Sequence, residues 1–146
     1  MAELGLGMGM KVMVYNRHPK KMRGVKMVSL NRLLRESDAI SLNTTHEKAN
    51  AKMIGKSEIA KMKKGVIIVN TVDRELVDEQ AMAESLKSGK VDTYIYEGED
   101  LVNTPLAKLE NAVGLKAFAW YTKEALDNLY KIWAEIKKDG TNYSFG

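Results

Sequence analysis

Short apolar runs alternate with helical patterns along this chain, and no other feature restricts the possible fold as strongly. Five runs of four to six residues are rich in β-branched and aromatic side chains, and they lie at residues 11–15, 39–42, 65–69, 91–96 and 112–115. Near-continuous apolarity over that length is typical of strands buried on both faces. The sequence therefore predicts a three-layer α/β fold, in which helices cover both faces of a parallel sheet.

Apolar residues at helical spacing fill the intervals between these runs. Leu30, Leu33 and Leu34 follow Ser29, whose hydroxyl can cap the start of a helix. The clearest pattern follows Thr122 and comprises Ala125, Leu126, Leu129, Ile132, Trp133 and Ile136. We expect one domain over residues 1–146, with tails at residues 1–8 and 139–146.

Composition excludes several classes of protein. The chain has no cysteine, so disulfides and thiolate metal sites are excluded, and we predict no other metal site. Its longest purely aliphatic run is residues 66–69, so we expect no membrane span. The amino end lacks the layout of a signal peptide, and a cytoplasmic location is therefore expected.

Basic residues are concentrated between residues 17 and 26, in a chain whose formal net charge is +4. The stretch contains Arg17, His18, Lys20, Lys21, Arg23 and Lys26. No aromatic platform or helix–turn–helix pattern accompanies it, so we expect no nucleic-acid partner. Two interpretations stay open: a solvated loop, or a loop that binds a small anionic ligand.

Five segments carry a set of motifs in a fixed order, at residues 9–15, 28–42, 53–71, 76–79 and 88–90. The first begins Gly-Met-Lys-Val, and the third ends Lys-Lys-Gly-Val-Ile-Ile-Val-Asn-Thr. In this order and spacing they resemble the nucleotide-binding domain of the D-2-hydroxyacid dehydrogenases, from about residue 9 to about residue 133. The resemblance implies a Rossmann-type domain that binds NAD or NADP in an oxidoreductase acting on 2-hydroxy acids.

The chain also departs from this family at its amino end. Members normally carry a strand, a glycine-rich turn and a long helix before the segment at residues 9–15, and eight residues precede that segment here. Such a turn holds a pyrophosphate on backbone N–H groups at the start of a helix, so we expect that cradle to be absent. The clean loss of one strand suggests an engineered truncation or fold model.

The resemblance further implies that the catalytic positions are altered. The family's substrate-binding arginine falls two residues after the Asn-Thr pair, where this chain has Asp73, and Arg74 comes one place late. Residues 116–120 contain no histidine where the family has its proton donor, which hydride transfer to a keto acid requires. We therefore assign no catalytic residue.

Loss of the first strand predicts a changed sheet order. The family's order is 3-2-1-4-5-6, and buried strand edges without partners are costly. Either another chain fills the gap, or the neighbouring strands close up into a five-stranded, doubly wound sheet with the flavodoxin-like order 2-1-3-4-5. We expect the second outcome, which places Met13 beside Ile68.

That order creates a crevice at the carboxyl ends of two adjacent strands, where ligands bind in open α/β sheets. The predicted cofactor-binding residues are Asn16, Arg17, His18 and Lys20 on one side, and Thr71 and Arg74 on the other. The Asn-Arg pair is similar to family members that take NADP, because an arginine can hold a 2′-phosphate. The alternative is a capping turn with solvated basic side chains.

Three functions are compatible with these residues. The first is a catalytically inactive α/β domain derived from a dehydrogenase. The second is a module that binds NADP, NAD or phosphate weakly, and a rise in melting temperature with NADP(H) would distinguish it from the first. The third is a dehydrogenase fragment completed by a partner chain, and the chain itself is expected as a monomer or a strand-swapped homodimer.

Overall fold

A computed structural model describes residues 1–19, 21–98, 102–116 and 122–138, with side chains through residue 132. The helices are α1 (Ala2–Gly7), α2 (Leu30–Glu36), α3 (Lys56–Lys61), α4 (Glu79–Lys87) and α5 (Lys123–Lys138). The strands are β1 (Met13–Val14), β2 (Lys26–Met27), β3 (Ala39–Leu42), β4 (Val66–Asn70), β5 (Val91–Glu97) and β6 (Ala112–Leu115). No helix in the described part is long and apolar enough to cross a membrane.

The strands form two parallel sheets. In the first sheet β1 pairs with β2, and Met13 lies opposite Lys26. The second sheet has the order β3-β4-β5-β6, and every pair of neighbours in it is parallel. The α/β class with parallel strands is therefore as predicted.

The predicted order 2-1-3-4-5 in one five-stranded sheet is wrong. Ile68 of β4 pairs with Ile40 on one side and with Tyr94 on the other, so neither edge of β4 is open to Met13. The strand at residues 11–15 pairs instead with β2, for which the sequence analysis predicts no strand. The first residue of β2, Lys26, is the last residue of the basic stretch. Two residues are too few to show the alternation of apolar and polar side chains that indicates a strand, so β2 could not be predicted.

One face of the four-stranded sheet carries the core. Helices α2, α3 and α4 pack on it, and the buried side chains include Leu34, Ile59 and Met82 from the helices and Ile68 and Tyr94 from the sheet. Burying an aliphatic side chain of this size contributes about 1.5–3 kcal/mol. Leu34 of α2 is fully buried in this core, and the next element along the chain, β3, pairs with β4.

The predicted helix starts at Ser29 and Thr122 are confirmed. The Ser29 hydroxyl accepts a hydrogen bond from the Arg32 N–H at 3.3 Å, and the Thr122 hydroxyl accepts one from the Ala125 N–H at 3.1 Å. The apolar stripe behind Thr122 lies on α5, and its members Trp133 and Ile136 have side chains outside the described part.

Within residues 1–8, which the sequence predicts as an amino-terminal tail, Ala2–Gly7 form α1. This helix contacts the first sheet closely. A Cβ atom built on Gly5 would lie 3.1 Å from Val12 Cγ2, and one built on Gly24 would lie 3.1 Å from Leu6 Cδ1. Gly24 also has a φ of 77°, which favours glycine. The tail expected at residues 139–146 lies outside the described residues.

Candidate functional site

The first predicted binding loop follows the carboxyl end of β1. Asn16 Oδ1 accepts a hydrogen bond from the His18 N–H at 3.2 Å, which forms a short Asx turn. Arg17 at the tip has a side chain that is 60% exposed, and its Nη1 lies 3.4 Å from Glu47 Oε2. An exposed pair of this kind contributes little stability, so an incoming anion can compete with Glu47 for Arg17. Lys20 lies outside the described residues.

The second predicted loop follows β4 and is held by Asn70. This side chain is fully buried. Its Nδ2 donates to the Asp73 carbonyl at 3.1 Å and to Tyr94 Oη at 3.2 Å, and its Oδ1 accepts from the Val72 N–H at 3.2 Å. Three hydrogen bonds from one buried amide fix the path of the loop, and they leave Thr71 exposed at its start.

Arg74 is engaged by neighbouring side chains. Its Nε and Nη2 lie 2.7 Å and 2.6 Å from Glu79 Oε1, and both side chains are largely buried. The guanidinium carbon lies 5.4 Å from the centroid of the Tyr96 ring, and Tyr96 stacks on Tyr94 at 5.2 Å. Gly98 leaves room for this arrangement, because a Cβ there would lie 2.6 Å from Arg74 Cδ. The carboxylate of Glu79 therefore neutralises the positive charge of Arg74, a residue that the sequence predicts to bind an anionic cofactor.

His46 is a site residue that the sequence analysis missed. Its Nδ1 lies 3.2 Å from Asp73 Oδ2, and its Nε2 lies 3.5 Å from Glu75 Oε2 without forming a hydrogen bond. The contacts join the loop after β3 to the loop after β4. The sequence offers one signal for His46, which is its place in a polar loop directly after a buried strand. The carboxyl ends of parallel strands form the edge of the sheet where ligands bind.

The structure does not bring the two predicted loops face to face. The loop after β3 lies between them, since Glu47 contacts Arg17 on one side and His46 contacts Asp73 on the other. The predicted crevice between adjacent strands at residues 11–15 and 66–69 is not formed, because β3 lies beside β4. In the described part, the loop after β3 therefore contacts both predicted loops. Whether the predicted residues bind a cofactor stays a prediction.

A surface cleft of about 620 Å³ lies next to the second loop. Its charged lining residues are Lys52, Asp73, Arg74, Glu75, Asp78 and Glu79. The N–H of Ala81 at the start of α4 lowers the pKa of Asp78 from its ordinary value, and Lys52 contributes to the same shift. Carboxylates outnumber cations in this lining, so the cleft does not favour a phosphate. Across the described residues, no three His, Asp or Glu side chains form a group that could hold a metal ion.

The described residues fit one end of a dinucleotide and not the other. Arg17, exposed on its Asx turn, could hold a phosphate on the ribose. Gly5 and Gly7 lie within α1 instead of forming a turn that leads into a helix, so they offer no pyrophosphate cradle. Thr71 is followed by Asp73 and by Arg74, whose charge Glu79 neutralises. The described residues near Thr71 therefore offer no cationic side chain that could bind a carboxylate.

Comparison with known proteins identifies what this arrangement is similar to. Residues 1–115 match the sequence model of the family described as "D-isomer specific 2-hydroxyacid dehydrogenase, NAD binding domain". A D-3-phosphoglycerate dehydrogenase of Archaeoglobus fulgidus is 39% identical over 134 residues, which cover 86% of this chain and 25% of that protein. A hydroxypyruvate reductase of Thermotoga maritima is 36% identical over 147 residues, which cover 92% of this chain and 48% of that protein.

Solved structures show the same similarity in three dimensions. A D-lactate dehydrogenase from Aquifex aeolicus, complexed with NAD and lactic acid, superposes with a TM-score of 0.85 at 28% identity. The match covers 94% of this chain and 48% of that structure. An acyclic imino acid reductase in complex with NADPH and D-Arg gives a TM-score of 0.84 at 27% identity, over 93% and 45% of the two chains. The chain thus spans less than half the length of each of these four proteins.

Proposed function

The chain belongs to the D-isomer specific 2-hydroxyacid dehydrogenase family, as its NAD-binding domain, and from this we propose that it binds the adenosine phosphate end of NAD(P) weakly and performs no hydride transfer by itself. The observation that carries the proposal is the contrast between two arginines. Arg17 is exposed and weakly paired, whereas Arg74 is held by Glu79 and the Tyr96 ring.

The geometry of the first loop supports binding at the ribose phosphate. The Asx turn at Asn16 presents Arg17 and His18 at the carboxyl end of a parallel strand. A guanidinium recognises phosphate oxygens through paired N–H donors. Without a pyrophosphate cradle, the affinity should be about millimolar, or about 4 kcal/mol. The same contacts are exposed, so added salt should weaken them.

The geometry of the second loop supports the absence of catalysis. Asp73 accepts the Glu75 N–H at 2.8 Å and faces His46, so it would repel a substrate carboxylate. Glu79 neutralises the neighbouring Arg74. Residues 117–120, where the family's proton donor is expected, lie outside the described part, and they contain no histidine in sequence.

Titration with 2′-AMP and AMP, followed by amide NMR shifts, tests the binding proposal. We expect 2′-AMP to shift the amides of residues 16–18 more than AMP does. Arg17→Gln should abolish the difference, and Arg23→Gln, in the same basic stretch, is the matched control that should retain it. Equal and negligible shifts for both ligands, or shifts that map to the cleft beside Glu79, would contradict the proposal.

Turnover assays test the absence of catalysis. With NADH or NADPH and either glyoxylate or hydroxypyruvate, we expect the rate to equal that of a heat-denatured sample. Asp73→Arg, which supplies an arginine at the family position, should leave the rate unchanged because no proton donor is restored. A clear rate with the unmodified chain would refute this part of the proposal and leave the binding proposal standing.

A further inference from the structure

Arg17 already has an anionic partner within its own chain. Its Nη1 lies 3.4 Å from Oε2 of Glu47, a residue 30 positions further along, in the loop after β3. Both side chains are more than half exposed. A phosphate that binds Arg17 would use the same guanidinium charge, so it has to compete with the Glu47 carboxylate.

The main chain around Glu47 is held by Asn50. The Glu47 N–H donates to Asn50 Oδ1 at 2.7 Å, and the Glu47 carbonyl accepts from the Asn50 N–H at 3.0 Å. Asn50 Nδ2 donates to the Thr45 carbonyl at 2.8 Å. These three hydrogen bonds close residues 45–50 into a turn, which we call the Glu47 turn. Because this backbone is already ordered, Glu47 loses only its own side-chain freedom when it pairs with an arginine.

The Glu47 turn is attached to the loop after β4 at two points. Before Glu47, the His46 imidazole lies 3.2 Å from Asp73 Oδ2 through its Nδ1 and 3.5 Å from Glu75 Oε2 through its Nε2. After Glu47, the Lys52 N–H donates to the Glu75 carbonyl at 2.6 Å. The two attachments flank Glu47, so they resist movement of the turn as a whole.

We infer that Glu47 is a built-in competitor for the phosphate site at Arg17 and that the attached Glu47 turn keeps it there, an inference that rests on the proposed function of that site. A ligand phosphate must first displace the Glu47 carboxylate and then remain near a group of like charge, and both effects lower its affinity. An exposed ion pair corresponds to a factor of about two to five in binding. His46 acts through Glu47, so it is a positioning residue.

Titration of the full chain with 2′-AMP, followed by amide NMR shifts, tests the role of Glu47. We expect Glu47→Gln to lower the Kd of 2′-AMP about two- to fivefold. Glu36→Gln is the matched control, because Glu36 is a similarly exposed carboxylate that pairs with Arg32 at 2.7 Å and precedes β3 rather than following it. Four strand residues span about 13 Å, more than the screening length of about 8 Å at physiological salt, so this control should leave the Kd unchanged.

Chemical shifts without ligand test the contact itself. Arg17→Gln should shift the amide of Glu47, and Glu47→Gln should shift the amide of Arg17, whereas Glu36→Gln should shift neither. In the unmodified chain, 2′-AMP above its Kd should move the Glu47 and Asn50 amides toward their positions in Arg17→Gln. The ligand and that substitution share this effect because both release the Glu47 carboxylate.

His46→Gln tests the attachment of the turn. It should lower the Kd of 2′-AMP by less than Glu47→Gln does, because the detached turn still carries the carboxylate. Combined with Glu47→Gln, it should change the Kd no further, whereas a general disturbance of the fold would change the Kd by the same factor in both backgrounds. Glu75→Gln, at a side chain that is 73% exposed, repeats the comparison in case His46→Gln does not fold.

Three results would overturn the inference: an equal Kd for the unmodified chain and Glu47→Gln, an equal gain with Glu36→Gln, or an effect of His46→Gln that does not depend on Glu47. Binding of 2′-AMP to the unmodified chain without a gain in Glu47→Gln would leave the proposed function standing and refute the role of Glu47. Binding to Glu47→Gln alone would support that role and refute the proposed function of the unmodified chain. Binding to neither protein would refute both.

Discussion

Replacing Asn70 by alanine should destabilise the domain more than replacing any exposed residue of the same loop. The buried amide makes three hydrogen bonds, to the Val72 N–H, the Asp73 carbonyl and the Tyr94 hydroxyl. Each contributes about 1 kcal/mol net, and a buried group left without a partner costs about 1–3 kcal/mol more. We expect a loss of about 3–5 kcal/mol, a large share of the 5–15 kcal/mol typical of a domain.

Tyr94→Phe separates the parts of that loss. It removes one hydrogen bond and leaves the Asn70 amide bonded to the Asp73 carbonyl, so its cost should be about 1 kcal/mol. In the double variant, no unpaired Tyr94 hydroxyl remains. The double variant should therefore lose less than the sum of the two single losses, by about 1 kcal/mol.

Urea unfolding followed by circular dichroism measures these differences, with an unchanged slope of free energy against urea as the check on comparable unfolding. Thr71→Ala is the matched control, because Thr71 is adjacent and exposed, and it should change stability by less than about 0.5 kcal/mol. An Asn70→Ala loss as small as that of the control, or strict additivity in the double variant, would refute the assignment of these hydrogen bonds.

The fold class could be predicted from the sequence because its signals are local. Runs such as residues 65–69 are apolar throughout, and helix starts such as Ser29 have a cap. The order of the strands was wrong because it depends on contacts that are distant in the chain. β3 pairs with β4, and β2 pairs with β1, and each pairing joins separate segments of the chain. Neither fact is readable from a window of a few residues.

The sequence predicts where the loops of the candidate site lie, but not which side chains meet there. The loops that follow β1 and β4 do lie at the carboxyl edge, as parallel strands require. The role of Arg74 could not be predicted, since it depends on Glu79 and on a ring stack supplied by β5. His46 was missed because its partners, Asp73 and Glu75, come from a different loop.

Two further predictions concern stability. Lys52 has a φ of 54°, a conformation that is strained for a side-chain-bearing residue, so Lys52→Gly should raise stability by about 0.5 kcal/mol in urea unfolding, and Lys52→Ala should not. Burial raises the pKa of Tyr94 from 10.0 to about 12. The folded state therefore resists ionisation that the unfolded state permits, and the stability present below about pH 10 is lost as the pH rises through about 12. At about pH 11 the loss should reach about 1 kcal/mol, and Tyr94→Phe should remove it. Urea midpoints that fall equally with pH in both proteins would show that another group is responsible.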